Sequence, residues 1–598
     1  MRFNSNDLIE MSNAVRALAL HAIYCAHSGH VGIVLGASGI VTTIYANFLR
    51  PGVDKFVLSA GHGSAMLYAV LKLAGYNVGD IDSFRQIGGL PGHPEINIDG
   101  VDATTGPLGQ GVANAVGLAL AEKIRGTGGR VYCLCSDGDL SEGIAFEAIA
   151  FAGRYGLDNL VLLWDDNGLS IDGVAQTAID MPSCVRACGW RVVNDVSADD
   201  FNRLNRTLMD AKRSRCPVFI QVKTVLGNGS SVAGKSAAHG LAIKDNELTK
   251  LMRQYVSGRG EACWAQVAAG TVMHKSEKVH TIVPNPKFEI DDEDTASTRE
   301  LSAQYLNLLL KNGVNLVGGS ADLGGNTGAH VESSCDIEPK KFSGNYINYG
   351  VREHAMGGIM NGLCVGGVRP YGSTFLVFSD YMRPSIRIAA LSGLPVIYIF
   401  SHDSIAVGQD GPTHQPVEQL ASLRMMPGLN VLRPCNATEV AWGWQTALTD
   451  VKHPSAIILS RQKVEQIKTP RGADLSKGAY VIYPATAKRV RITIIATGSE
   501  VPFAVAVAKK IGPSVQVVSM PSVECFRASS VKYQKDLLRG YVVAIEASAS
   551  APWFEFADAV CGIDKFGMSG DGADIQKQMG LDVDLVASDI CKKMNRYV

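Results

Sequence analysis

The chain has 598 residues, 46% hydrophobic and 19% charged, with a formal net charge of −1. That is an ordinary globular balance, long enough for about three to five domains at roughly 100–200 residues each. It supplies no overall positive field for nucleic acid or an anionic membrane, so any anion must be held locally.

Thirteen cysteines, an odd number without a C-x-x-C pair, argue against a disulfide framework or a zinc ribbon. Free thiols in this number fit a reducing cytosol, and the Cys133/Cys135 and Cys184/Cys188 pairs are expected to be buried. Asp7 and Glu10 precede the first apolar stretch, and no small-residue cleavage pattern follows. Apolar runs such as 160–164 and 394–400 fall far short of the ~20 residues of a membrane span. A cytoplasmic protein with no membrane or nucleic-acid partner is expected.

In chain order, 9–25 carries apolar residues at helical spacing and breaks at Ser28-Gly29. β-rich runs follow at 55–59, 131–135, 160–164 and 218–222, separated by helical segments such as 112–124 and 143–154. Strands alternating with helices predict a parallel, doubly wound α/β domain over 1–275. Residues 276–297, polar and ending in an acidic run, read as a linker. A second α/β domain spans 298–470, with strands at 316–318, 369–372, 396–400 and 456–460. After a weak boundary near 464–478, a third α/β unit occupies 478–598, with strands at 492–496, 515–518 and 541–545.

Asp137 (in Ser136-Asp137-Gly138) and Asn167 (in Asp166-Asn167-Gly168) each follow a predicted strand. Both therefore stand at carboxyl ends of strands, where open α/β sheets bind ligands. A carboxylate, an amide oxygen and a nearby carbonyl are hard ligands for Mg²⁺ or Ca²⁺ on a diphosphate, and Gly138 allows close backbone approach. Alone, the pair is equally an Asp-Gly turn and an Asn-Gly turn. It resembles the diphosphate anchor of thiamine-diphosphate enzymes, with Ser136 and Asp166 departing from the usual Gly and Asn. The resemblance implies metal ligation by Asp137, Asn167 and the carbonyl of Leu169.

Five histidines occur in turn-rich segments of the first domain, and four of them (His30, His62, His93 and His239) touch glycine. Neutral imidazoles hydrogen-bond sugar hydroxyls and relay protons near neutral pH. With FVLSAGHG (56–63), PGHPE (91–95) and TGPLGQG (105–111), the pattern resembles the transketolase family specifically. That likeness implies that these four histidines line the substrate channel and that His62 and His239 also touch the cofactor. Gly106, Pro107 and Leu108 would run along the cofactor. Val31 departs from the family's usual proline.

In NYGVREH (348–354), Glu353 reads locally as a solvated glutamate at a helix start. The resemblance implies instead a buried carboxyl that hydrogen-bonds the cofactor's aminopyrimidine ring, its pKa raised by burial. Phe375, Phe378 and Tyr381, spaced by three, read locally as one helical face; in the family they seat that ring. The loop SHDSIAVGQDGPTHQPV (401–417) is long and polar, as functional loops are. By resemblance, Asp410 meets a substrate hydroxyl, and His414 lies near the reacting carbonyl. Arg299, Arg461 and His402 would take the substrate phosphate, an arginine alone reading as a solvated cation. Asn326 replaces a phosphate-binding serine, and its amide still donates a hydrogen bond. Asp322 joins the cofactor set, and Glu142 matches a carboxylate between paired sites.

The motifs occur in family order over nearly the whole chain. The resemblance therefore implies two thiamine-diphosphate-binding folds plus a C-terminal α/β domain. It further implies thiamine diphosphate with Mg²⁺ (Ca²⁺ or another divalent ion also fitting), sugar-phosphate substrates and a homodimer with sites between subunits. Dihydroxyacetone synthase shares most of these motifs and is the nearest alternative.

Overall fold

The computed structural model describes residues 2–175, 179–240, 244–271, 286, 288 and 295–597. Most of the expected linker at 276–297 lies outside the described residues. The chain forms two compact units. The first comprises residues 1–278, 338–343 and 354–368, and the second comprises the remainder.

Unit 1 is built on five parallel strands in the order Lys55–Leu58, Val131–Ser136, Leu160–Asp166, Val218–Lys223, Arg191–Ser197. The inner strands are continuous buried runs, as expected of a sheet covered on both faces. Its first helix, Ser5–Ala26, begins in a capping box between Asn4 and Asp7. The helices Gln110–Arg125 and His354–Val365, the latter the unit 1 part of Glu353–Val365, meet backbone to backbone. A Cβ at Gly117 would run into the carbonyl of Ile359, and one at Gly362 into that of Asn114. The amide of Ala355 donates to Glu147 Oε2 (2.9 Å), and Gln110 Nε2 lies 2.8 Å from His354 Nε2. These contacts hold the helix His354–Val365 within unit 1.

Besides a small antiparallel pair, Thr295–Ala296 with Val464–Glu465, the described residues of unit 2 form two large sheets. One has six parallel strands in the order Tyr346–Asn348, Gly318–Ser320, Tyr371–Phe375, Ile397–Ser401, Ser455–Leu459, Asn430–Leu432. The other runs Tyr480–Tyr483, Val515–Ser519, Ile492–Ala496, Tyr541–Ile545, Ala559–Cys561, with only the first strand antiparallel. Within this unit a buried charge network joins the loops of the two sheets. The Arg433 guanidinium donates to Asp403 Oδ2 (2.7 Å), Glu500 Oε2 (2.5 Å) and Glu546 Oε1 (3.3 Å). Arg424 forks onto both oxygens of Glu546 at 2.7 and 2.9 Å. Burial pulls the Arg433 guanidinium toward losing its proton, but Glu500, Asp403 and Glu546 outweigh it and hold the charge. Removing one partner of such a network leaves uncompensated buried charges. Arg433→Met is expected to cost about 3–5 kcal/mol in denaturant unfolding. A change below about 1 kcal/mol would show that the network carries little stability.

Several sequence expectations need correction. The strands expected at 316–318 and 369–372 form two residues later, as Gly318–Ser320 and Tyr371–Phe375. Phe375, Phe378 and Tyr381 do not share one helical face. They end a strand, end a 3-10 turn and enter the helix Ser379–Leu391, respectively. Asp137 opens a five-residue helix capped by Ser136, rather than a simple turn. No cysteine is in a disulfide, but Cys184 and Cys188 are half-buried, because the short helix Met181–Ala187, which Cys188 follows, buries only Met181 and Val185. Among the described residues, no helix is long and apolar enough to cross a membrane.

Candidate active site

In unit 1, four imidazoles converge. The His62 ring stacks on His239 with centroids 4.9 Å apart. His30 lies 5.2 Å from His62, 5.4 Å from His239 and 6.3 Å from His93. The backbone sets these positions. His30 precedes the helix Val31–Asn47, and His62 sits in a 3-10 turn, Gly61–Gly63. A Cβ at Gly61 would crowd the amide of Gly106 at 2.8 Å, so this turn rests directly on the 105–108 segment. The Tyr68 hydroxyl donates to the His93 carbonyl (3.0 Å). Arg85, which the sequence did not single out, donates to Ser28 Oγ (2.7 Å) and lies 3.1 Å from His30 Nδ1.

All four rings are held below the usual imidazole range, chiefly by burial. For His30, burial and then the Arg85 charge bring the pKa to about 4. For His62, burial and the neighbouring imidazoles bring it to about 3. Both are neutral at pH 7, able to donate at one nitrogen and accept at the other. In the unfolded chain the same rings titrate near 6.5. Between about pH 4 and 6.5 the unfolded state therefore binds more protons, and stability falls as pH falls through that window. Each ring contributes at most about 1.4 kcal/mol per pH unit, less where water still reaches it. His62→Gln should flatten this acid slope in urea titrations of the ligand-free protein. An unchanged slope would mean that His62 does not titrate differently in the two states.

In the same unit, Asp137 is buried just after the strand Val131–Ser136. Its Oδ1 accepts from Trp164 Nε1 (3.3 Å), whereas its buried Oδ2 has no partner. Burial, then Asp166 and Asp165, push this carboxyl up to about 7. A buried acceptor without a donor, pressed by two carboxylates, is a site that a cation would satisfy. Asn167 Oδ1 accepts from the Leu169 amide (3.1 Å), which folds this loop beside Asp137. A Cβ at Gly138 would approach Leu108 at 3.0 Å, so the two segments nearly touch. Glu142 is exposed between two helices.

Two carboxylates to which the sequence assigned no role, Asp139 and Asp166, brace the strand ends and loops. Asp139 accepts from Ser59 Oγ (2.6 Å), the Gly109 amide (2.8 Å) and the Ser136 amide (2.9 Å), tying three loops together. Asp166 accepts from Lys223 Nζ (2.5 Å) and Gln221 Nε2 (2.6 Å). The Ser136-to-Asp139 spacing of a capping box was the available signal for Asp139.

Unit 2 holds the other set. Glu353 is half-buried rather than fully buried, because it is the first residue of its helix. Thr374 Oγ1 donates to its Oε1 (3.0 Å). Next along the strand, Phe375 stacks on His402 (centroids 3.7 Å apart) and lies 6.4 Å from His414. Phe378 meets His414 edge-on at 5.3 Å and lies 6.2 Å from the exposed Tyr381.

His402 has a left-handed backbone (φ 63°), unusual for a non-glycine residue and frequent at functional sites. Burial, then the Arg299 and Arg461 charges, lower it to about 3. Arg299 Nη1 donates to the Asn326 carbonyl (2.7 Å), and Arg461 Nη1 to the Val407 carbonyl (2.9 Å). Thus Arg299, Arg461, His402 and His414 form one electropositive neighbourhood, with Asn326 at its side. Asp410 stands exposed in a turn flanked by Gly408 and Gly411, both at positive φ. Asp322 is exposed and left-handed (φ 66°), without a contact that draws it to Glu353.

Comparisons with known proteins agree along the chain. Family profiles described as "Transketolase, thiamine diphosphate binding domain", "Transketolase, pyrimidine binding domain" and "Transketolase-like TK C-terminal domain" match residues 8–258, 294–466 and 478–582. The transketolase of Bacillus subtilis is 37% identical, over 99% of this chain and 100% of its own. That of Halalkalibacterium halodurans is also 37% identical, over 96% and 97%. A solved transketolase from Leishmania mexicana superposes with a TM-score of 0.91 at 32% identity, over 98% and 97% of the two chains. A transketolase from Pichia stipitis in complex with sedoheptulose 7-phosphate gives 0.91 at 31% identity, over 99% and 98%.

Proposed function

The chain belongs to the transketolase family of ketol-transferring enzymes, and from that footing we propose that it reversibly moves a two-carbon ketol unit from xylulose 5-phosphate to ribose 5-phosphate or erythrose 4-phosphate, in the pentose phosphate pathway. The observation that carries the site assignment is the orphaned, buried Oδ2 of Asp137, in the same unit as a cluster of four neutral histidines. Asp137, Asn167 and the Leu169 carbonyl would hold Mg²⁺, or Ca²⁺ or another divalent ion, against the diphosphate of thiamine diphosphate. Gly106, Pro107, Leu108 and Gly138 would give that diphosphate close backbone approach. When bound, this cofactor supplies an electron sink for breaking the bond beside a ketone.

The residues of this chain supply position and protons. Glu353, oriented by the Thr374 hydroxyl, would hold a proton at a ring nitrogen of the aminopyrimidine. Phe375, Phe378 and Tyr381 would give that ring a flat apolar seat. Neutral His30, His62, His93 and His239 would exchange protons with substrate hydroxyls and the carbonyl, without placing net charge beside the reacting carbons. His414 would contact the ketose near its carbonyl, and Asp410 a hydroxyl further along. Arg299, Arg461, Asn326 and His402 would hold the phosphate. The family likeness supports a cytoplasmic homodimer whose diphosphate end is held by one chain and whose pyrimidine end is held by the other, with Asp322 and Glu142 near the paired sites.

The test is a coupled assay of the dialysed protein with xylulose 5-phosphate and ribose 5-phosphate. Glyceraldehyde 3-phosphate should form only when thiamine diphosphate and Mg²⁺ are both added. No product at saturating cofactor would contradict the assignment.

A further inference from the structure

Away from the site above, three side chains with metal-ligating atoms meet at the end of the first helix. His21 and Cys25 are four residues apart, hence on one face of Ser5–Ala26. Asp82 comes from the 3-10 turn Ile81–Ser83. His21 Nε2 lies 2.8 Å from Asp82 Oδ1 and 3.6 Å from Cys25 Sγ. The three donor atoms all lie within 4.8 Å of one another. His21 and Cys25 are half-buried and Asp82 is exposed, so a cation can reach them from solvent.

We infer that His21, Cys25 and Asp82 form a binding site for a zinc-class transition-metal ion, with water as the fourth ligand. A tetrahedral centre with zinc–nitrogen and zinc–oxygen bonds near ~2.0 Å and zinc–sulfur near ~2.3 Å sets the ligand spacings. It needs about 3.5 Å between nitrogen and sulfur and about 3.3 Å between nitrogen and oxygen. The first spacing is already present, and the second requires the His21–Asp82 pair to open by about half an ångström. A mixed nitrogen, sulfur and oxygen set selects zinc or its neighbours over Mg²⁺ and Ca²⁺, which take oxygen only. Asp80 lies close enough to act on the Cys25 thiol and adds a second negative group beside the site. On binding, the thiol proton leaves to solvent as the sulfur–metal bond forms. The thiolate and carboxylate then neutralise the dication.

The site has a mechanical consequence. The helix that carries His21 and Cys25 leads directly to His30, and Asp82 belongs to the segment that carries Arg85 and His93. Those two segments are already joined by Arg85 to Ser28 and His30. A metal at His21, Cys25 and Asp82 would add an outer clamp across the same junction. This inference is independent of the reaction assigned above.

The test uses the full-length chain with thiamine diphosphate and excess Mg²⁺, stripped of transition metals and titrated with Co²⁺. One Co²⁺ per chain should bind with a thiolate-to-metal charge-transfer band, and Zn²⁺ should abolish that band by displacement. The imidazole cluster contains no thiol and gives no such band. Cys25→Ser should remove the band, and Cys184→Ser should keep it. His21→Gln and Asp82→Asn should weaken binding beyond the ~10–100-fold typical of changes outside the ligand set. Absence of the band in the wild type, or its survival in Cys25→Ser, would overturn the site. Should Cys25→Ser not fold, exposed Asp82→Asn decides: an unchanged Co²⁺ affinity overturns the proposal, and a loss supports it.

Discussion

Glu353→Ala is expected to lower ketol-transfer turnover by about 10²–10⁴-fold while leaving the fold intact. The size follows from proton transfer, since Glu353 is the carboxyl assigned to hold a proton on the cofactor ring. The intact fold follows from its position. Glu353 is half-buried at a helix start, and its observed side-chain bond is to Thr374. The helix itself is anchored elsewhere, by Ala355 to Glu147 and by the close approach of Gly117 and Gly362 to the facing backbones. Steady-state kinetics alongside thermal melting separate the two effects. Turnover at the wild-type level in Glu353→Ala would remove Glu353 from the mechanism.

Asp137→Asn should abolish Mg²⁺-dependent cofactor binding, yet leave the ligand-free chain as stable as the wild type or more so. The loss arises because a charged metal ligand is removed, which costs more than the ~10–100-fold seen for outer-shell changes. The retained or increased stability has a separate cause. In the ligand-free chain the buried Asp137 carboxyl is pushed up to about 7 by burial, Asp166 and Asp165. Near neutral pH the folded state pays for ionising it where the unfolded state, with a value near 3.8, does not. The neutral amide removes that cost. Calorimetric titration of thiamine diphosphate with Mg²⁺, and melting without either, measure the two halves. Unchanged affinity, or a large loss of ligand-free stability, would mark Asp137 as a structural residue instead.

The sequence made the strands 492–496 and 541–545 legible because each is fully buried and β-rich, apolar throughout except for Thr493. It misplaced Gly318–Ser320, which has no large apolar residue, and Tyr371–Phe375, whose buried centre is Gly-Ser-Thr with an aromatic only at each end. The site residues announced themselves through glycine-flanked histidines and strand-end Asp and Asn. Their supports did not. Thr374 lies 21 residues from Glu353, Arg85 lies 55 from His30, and the partners of Arg433 lie up to 113 residues away. Pairings at such separations leave no local periodicity. The same holds for Asp139, whose link to Ser59 spans 80 residues. The three-residue spacing of Phe375, Phe378 and Tyr381 suggested a helix because spacing alone cannot register a strand that turns into one.

The proposed site, with Asp137 supplied by one subunit and Glu353 by the other, is tested most directly by mixing two inactive variants. Glu353→Ala and Asp137→Ala are unfolded together, refolded at equal concentrations with thiamine diphosphate and Mg²⁺, and assayed with xylulose 5-phosphate and ribose 5-phosphate. Random pairing into two-fold dimers makes half of them mixed, each with one intact site, so roughly a quarter of wild-type activity should return. Activity no higher than that of either variant alone, with mixed dimers present, would contradict a site shared between subunits.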